Sequence, residues 1–325
     1  MDSAAIDGQR VRPVTVKANS KSPTRIALTR IRQDRVAMVC FGVFAFFLLV
    51  AVFAPALVAL EGQDPFTQNQ DLIDRNGQPI IGMTGDHWFG VEPRLGRDLF
   101  ARWAYGARPS LMIAIIATLT TTIVGVTVGM IAGFARGWVD SAISWVIDLV
   151  LSLPYLLFAM AIPAVIMAAM GLSDDAPPEV VADVRFWSLI AALTVFGWAG
   201  LARLIRGEVL SLREREFVAA ARVLGVPTHR VLRKELLPNL VAPIVISMSM
   251  SLPGYIVAEA GLTFLGVGLV EPAPSWGVTI ASAVTSYKAL PHYLWIPVLS
   301  VTVLVLALSL LGDAVRDAFD PKTRR

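Results

Sequence analysis

The apolar residues of this chain are gathered into six long blocks, and no other feature limits its possible folds so tightly. The blocks lie near residues 36 to 60, 110 to 134, 142 to 170, 187 to 206, 240 to 268 and 292 to 312. About 20 apolar residues carry a helix across the hydrocarbon core of a bilayer, so each block is long enough to span it. Inside lipid the backbone must satisfy its own hydrogen bonds, which leaves helices or closed barrels. The blocks lack the polar and apolar alternation of barrel strands and far exceed their length of about 10 residues, so they read as helices. Composition agrees: 55% of the 325 residues are hydrophobic, 16% are charged and the mean hydropathy is +0.64, outside the range of an ordinary soluble domain. The expected fold is an all-α membrane protein of six transmembrane helices.

Basic residues flanking membrane spans are retained in the cytoplasm. With the N-terminus inside, residues 1 to 35, 135 to 141, 203 to 239 and 313 to 325 are cytoplasmic and hold 21 of the 28 Lys and Arg residues. Both termini are therefore expected in the cytoplasm. The layout is an N-terminal tail at 1–35, a first span at 36–60, a polar external segment at 61–109, five further spans within 110–312 and a C-terminal tail at 313–325. The basic N-terminal tail suits a position beside anionic lipid headgroups better than a nucleic-acid arm. The first block exceeds the roughly 7 to 15 apolar residues of a signal peptide and follows a long tail, so it is expected to be a retained span. Cys40 is the sole cysteine, which excludes an intramolecular disulfide and favours a small core hydrophobe.

No catalytic constellation is visible. The chain has no Gly-x-x-x-x-Gly-Lys-Ser/Thr phosphate loop, so it is not expected to bind ATP in that way. His87, His229 and His292 fall in separate polar segments on both sides of the membrane; they read as surface or headgroup residues and not as one zinc site. No Ser is flanked as in Gly-x-Ser-x-Gly. A non-catalytic chain without metal or cofactor of its own is expected.

Ionisable residues within spans are the next signal, because a carboxylate at membrane depth is costly unless it is paired, protonated or facing a polar cavity. Asp148 lies near enough to a span end to reach the boundary. Glu259 is deeper, after Pro253 and Gly254, and fits either a path-lining position or an interhelical hydrogen bond. In the external segment the run holding Trp88, Phe89, Arg97 and Asp98 reads as aromatic residues at the bilayer surface around a Gly-containing turn, or as a docking surface for an external partner.

Between the fourth and fifth spans lies a hydrophilic island from Arg215 to Asn239. A helix over 213 to 224 sets Phe217, Ala220, Ala221 and Leu224 at offsets 0, 3, 4 and 7, one apolar stripe of little bulk. Gly225 suits a left-handed cap at its end. Thr228 can then cap a second short helix carrying Leu232 and Leu236, which Pro238 closes. Such a bracket fits a groove on a partner protein or lies on the lipid surface, and its chemistry alone leaves both open.

The stretch from Ala219 to Pro238 resembles the EAA motif in the cytoplasmic loop of permease subunits of binding-protein-dependent ABC transporters: Glu-Ala-Ala, three residues, Gly, nine residues, Ile-x-Leu-Pro. Ala220, Ala221, Gly225, Leu237 and Pro238 match in register, whereas Ala219 stands where the motif has Glu and Glu235 where it has Ile. Glu216, one helical turn earlier, is the nearest substitute for the missing carboxylate. Trp88-Phe89-Gly90-Val91, Leu95-Gly96-Arg97-Asp98, the run from Glu259 to Gly268, and Pro274-Ser275-Trp276-Gly277 are similar to segments of the dipeptide, oligopeptide and nickel permease subfamily, and the long external segment looks like that of the second of its two paired permeases.

The resemblance implies that residues 110–312 form an ABC permease core in a bacterial inner membrane. It implies a heterodimer with a second permease, two cytoplasmic ATPases that bind ATP and Mg, and an external solute-binding protein that delivers peptide. The loop holding Glu216, Phe217, Ala220, Ala221, Leu224, Gly225, Leu237 and Pro238 would act as a coupling helix that transmits motion from the ATPases. Import of nickel or another small solute by the same machinery, and a secondary transporter, remain as alternatives.

Overall fold

The computed structural model describes residues 23–172 and 176–320. Among them there is no strand, only isolated bridges between Ile73 and Pro79 and between Val91 and Asp98. The helices are α1 (Pro23–Gln33), α2 (Arg35–Glu61), α3 (Leu99–Phe134), α4 (Trp138–Ser152), α5 (Tyr155–Ala169), α6 (Pro178–Leu212), α7 (Glu216–Val223), α8 (Thr228–Val231), α9 (Val241–Phe264), α10 (Trp276–Ala283) and α11 (Pro291–Phe319).

Four of these helices, α2, α3, α6 and α11, are long and apolar enough to cross a membrane, as is the continuous helical run Thr228–Phe264. The third expected span, 142 to 170, is not one straight helix. It is the pair α4 and α5, bent by 93°. Leu153 is extended and Pro154 follows it; proline has no N–H to continue the ladder and disfavours the helical region for the residue before it.

A second difference lies at the entry to α9, where Pro238 does not close a short helix. The chain passes from α8 through a π turn (Leu232–Leu236) and a 3-10 turn (Leu237–Leu240) directly into α9. These shifts in hydrogen-bond register place the missing N–H of Pro238 where the run tolerates it. Thr228 does not cap either: Pro227 holds the N-cap position and no side chain caps there.

Helix α3 passes through the bundle with α6 packed along it. A Cβ on Gly129 would lie 2.6 Å from the Ala202 carbonyl oxygen, and one on Gly133 would lie 2.7 Å from Val209 Cβ. Small residues one turn apart let two membrane helices approach to backbone contact, where lipid offers no hydrophobic drive for association. On the other side, Trp276 of α10 is fully buried; its indole N–H donates to the Trp103 carbonyl at 3.0 Å and its ring meets Phe47 edge to face. The described ends of the chain meet as well, since Arg30 donates to the carbonyls of Ala318 in the last turn of α11 and of Asp320 just after it, where a cation complements the helix dipole.

Candidate functional site

The loop between α6 and α9 is held to the bundle from one side only. Val218, Val231, Leu236 and Leu240 are buried against Met130 of α3 and Ile205 and Val209 of α6. Arg213 donates to the carbonyls of Gly133 and Ala135 at 3.0 and 3.1 Å, and the Arg222 guanidinium stacks 4.8 Å over the Phe134 ring. Gly225 adopts φ +71° just after α7, and the Val226 N–H closes the turn on the Ala221 carbonyl. A glycine enters this left-handed region without the Cβ penalty.

The opposite side of α7 is uncovered. Glu216, Ala219 and Ala220 are exposed, Phe217 is 38% exposed, and Val223 and Leu224 reach 88% and 81%. Leu237 is half-buried and Pro238 exposed. The expected stripe is thus split: Ala221 shares the packed side with Val218, while Phe217, Ala220 and Leu224 face outward. Sequence reasoning missed Val218 as the anchor, along with Arg213 and Arg222. The signal was present but ambiguous, because Phe217 and Val218 head adjacent apolar columns of one helix.

At the far end of the bundle the charged residues turn inward. Arg97 makes a bidentate pair with Glu271 at 2.8 and 3.0 Å and also bonds Glu92; Arg102 bonds Glu271 at 2.6 Å; and Tyr293 donates to Glu92 at 3.2 Å. Burial opposes the Arg97 charge, yet its bonds to Glu271 and Glu92 outweigh that and hold the guanidinium above its ordinary value. Asp98, fully buried, caps α3 through the Ala101 N–H at 2.7 Å and pairs with His87 at 2.8 Å. His87 is therefore an interior residue and not a surface one. Arg97 and Asp98 are unavailable to an external partner; Phe89 packs against Phe100 and Trp103, and Trp88, 40% exposed, is the outermost of the four.

Glu259 is also interior. It is 0% exposed, accepts from Thr263 Oγ1 at 3.2 Å and faces the Ser110 hydroxyl of α3. This places it between helices of the same subunit. Asp148 is the reverse case: it pairs with Arg203 of α6 at 2.5 Å, with both side chains more than half exposed.

Two family descriptions match the chain. Residues 125–325 match the binding-protein-dependent transport system inner membrane component, and residues 22–79 match the N-terminal transmembrane domain of oligopeptide transport permease C. The chain belongs to this permease family. It is 34% identical to the dipeptide transport system permease protein DppC of Bacillus subtilis (strain 168), over 96% of this chain and 89% of that one. It is 32% identical to the glutathione transport system permease protein GsiD of Shigella dysenteriae serotype 1 (strain Sd197), over 96% and 95%. Among solved structures, a chain of the MetNI methionine ABC transporter superposes with a TM-score of 0.50 at 16% identity, covering 68% of this chain and 96% of that one; this likeness concerns the fold. The permease is a multi-pass protein of the bacterial inner membrane, and the uncovered α7 lies in the segment that carries the family's loop motif.

Proposed function

We propose that this permease forms, with a second permease, the translocation path of an ATP-driven importer of peptides. Two ATPases would seat on the α7 end, and an external solute-binding protein would deliver solute at the other. The observation that carries the reading is the one-sided burial of α7. A helix pinned by Val218, Arg213 and Arg222, with Val223 and Leu224 standing out in solvent, has the form of an apolar ridge for a protein groove. The excess of Lys and Arg in segments flanking α7 and both termini supports placing that end in the cytoplasm.

Closure of the ATPases on ATP would push on α7. Because Arg213 and Arg222 tie the loop to the end of α3, and the run from Thr228 to Phe264 is continuous, the push would reach both α3 and α9 as a rigid-body movement. The curated relatives transport a dipeptide and glutathione, which favours peptide over nickel as the solute class here. The test is to co-express the permease with its candidate second permease, ATPases and binding protein, purify the assembly and measure dialanine uptake into proteoliposomes. Copurified ATPase and ATP-dependent uptake are expected. Uptake that persists with ATPases unable to hydrolyse ATP would instead support a secondary transporter.

A further inference from the structure

A cleft of about 270 Å³ opens beside the buried charges at the start of α3, between the turn 92–97 and the chain just after α10. Glu92, Arg97 and Tyr293 form its floor; all three are buried, and Glu92 bonds both of the others. Arg94 and Leu95 form one rim and Ser286 the other. The floor is fully engaged, with Arg97 held by Glu92 and Glu271, so a partner entering the cleft meets the rim. There the Arg94 guanidinium makes no hydrogen bond or ion pair among the described residues, and neither does the Ser286 hydroxyl. Lys288, two residues beyond Ser286, is exposed and likewise unpaired among them.

The backbone at Arg94 is unusual. Its φ of +68° is the one positive value at a residue other than glycine among the described residues. A Cβ is disfavoured in this region, and Asn or Asp are its commoner occupants. The turn holds the conformation by bonds on every side: the Arg94 N–H donates to the Gly77 carbonyl at 2.9 Å, and the Gln70 amide donates to the carbonyls of Arg94 and Leu95 at 3.1 and 3.3 Å. Strained residues persist only where their surroundings over-determine them, and they gather at ligand clamps. An arginine is thus fixed where glycine would sit without strain, and its charged head is left free at the mouth of a cleft. Leu95, 36% exposed, stands beside it.

We propose that this cleft is a docking notch for the external solute-binding protein, and that it receives an acidic side chain of that protein on Arg94, with Leu95 as the apolar neighbour of the contact. The proposal rests on the importer reading, which supplies the partner and puts this end outside. A carboxylate suits the rim because a guanidinium binds it by two parallel hydrogen bonds, and Ser286 offers a further donor. The cleft is smaller than the roughly 300–1,000 Å³ of a small-molecule pocket, and the engaged floor closes it, so it fits a single side chain and not a passing solute. A charged, water-facing rim also suits a partner that arrives and leaves, since such contacts chiefly set the rate of encounter and its dependence on salt. The contact leaves the bonds of Arg97 and Asp98 intact.

The experiment titrates the candidate binding protein of the uptake assay onto the assembled transporter in nanodiscs, at low and at high salt. Arg94→Glu should raise the Kd about tenfold or more and flatten its rise with salt, and Arg94→Lys should fall between it and the parent. Arg94→Gly removes the guanidinium and relieves the backbone, so it should bind about tenfold more weakly with an unfolding temperature equal to or above that of the parent; a purely structural role would not give that pair of results. Parent-like Kd in both Arg94→Glu and Arg94→Gly overturns the proposal. So does loss of the second permease from purified Arg94→Glu, which would give the cleft to that subunit, or reduced dialanine uptake at unchanged Kd, which would give it to the solute. If the parent itself binds no binding protein, the importer reading falls and takes the notch with it; if the parent binds and the variants bind equally well, the notch falls alone.

Discussion

The two ends of the permease use their side chains in opposite ways. At the end formed by the start of α3 and α11, Glu92, Arg97 and Arg102 are buried and bonded to one another, to Glu271 and to Tyr293, and buried Asp98 pairs with His87. At the α7 end the outward residues are Val223 and Leu224, apolar and without cover. Folded surfaces ordinarily show the reverse, with charge outside and large aliphatic groups packed. The first end is thus complete within one subunit, a clamp that joins helices distant in sequence. On the reading proposed above the second is half of an interface, with stability and function carried by different faces of one short helix.

The largest expected effect lies in the clamp. Arg97→Ala takes the shared guanidinium from Glu271 and buried Glu92 and leaves Glu92 only Arg102 at 3.5 Å and Tyr293 at 3.2 Å. The loss is at most about 3–5 kcal/mol, the cost of breaking an isolated buried ion pair. A clear fall in the thermal unfolding temperature of the detergent-solubilised subunit should follow. Arg97→Lys should recover only part of it, because a single ammonium cannot reproduce the bidentate fork on Glu271. Unchanged unfolding in Arg97→Ala would break the comparison, since the end described as a clamp would then not be holding.

On α7 the comparison sharpens to neighbouring residues. Val218→Ala removes a fully buried side chain and should lower stability by about 2 kcal/mol, the worth of burying such a group. Leu224→Ala should leave stability within about 0.5 kcal/mol, as surface changes do, yet weaken ATPase binding by more than about 1 kcal/mol if Leu224 anchors that contact. Unfolding and copurification measured on the two variants separate the faces. If Leu224→Ala keeps its ATPase while Val218→Ala loses it at unchanged stability, the faces have been assigned the wrong way round.

Much of this architecture was legible in the sequence, for identifiable reasons. Apolar block length gave the spans, because the bilayer imposes one length scale on every crossing. Pro154 could be seen inside the third block, but the 93° bend depends on how α5 then packs against α6, which no local signal encodes. The pairing of Arg97 and Arg102 with Glu271 joins positions far apart in the chain, so it follows only from the folded bundle. His87 was misplaced for the same reason, since its partner Asp98 is brought to it by the turn between them. In the loop, motif spacing located Gly225 and the alanines, while the choice between the Phe217 and Val218 columns needed the position of Met130 and Val209 beneath α7.

Gly225 offers the finest test. Its φ of +71° belongs to the left-handed region, and a Cβ built there would meet nothing within 4 Å. Any effect of substitution must therefore come from the backbone and not from a clash. Valine in this conformation costs about 1–2 kcal/mol, so Gly225→Val should draw the end of α7 out of its turn and shift Val223 and Leu224 while leaving the helices of the bundle in place. Asparagine tolerates the left-handed region, and Gly225→Asn should keep both the turn and the outward face. The expected outcome is ATP hydrolysis uncoupled from uptake in the valine variant and near-normal coupling in the asparagine variant, with equal amounts of both in the membrane. Equal coupling in the two would show that the left-handed turn does not set the position of the apolar tip, and the ridge would then have to be positioned by Arg213 and Arg222 alone.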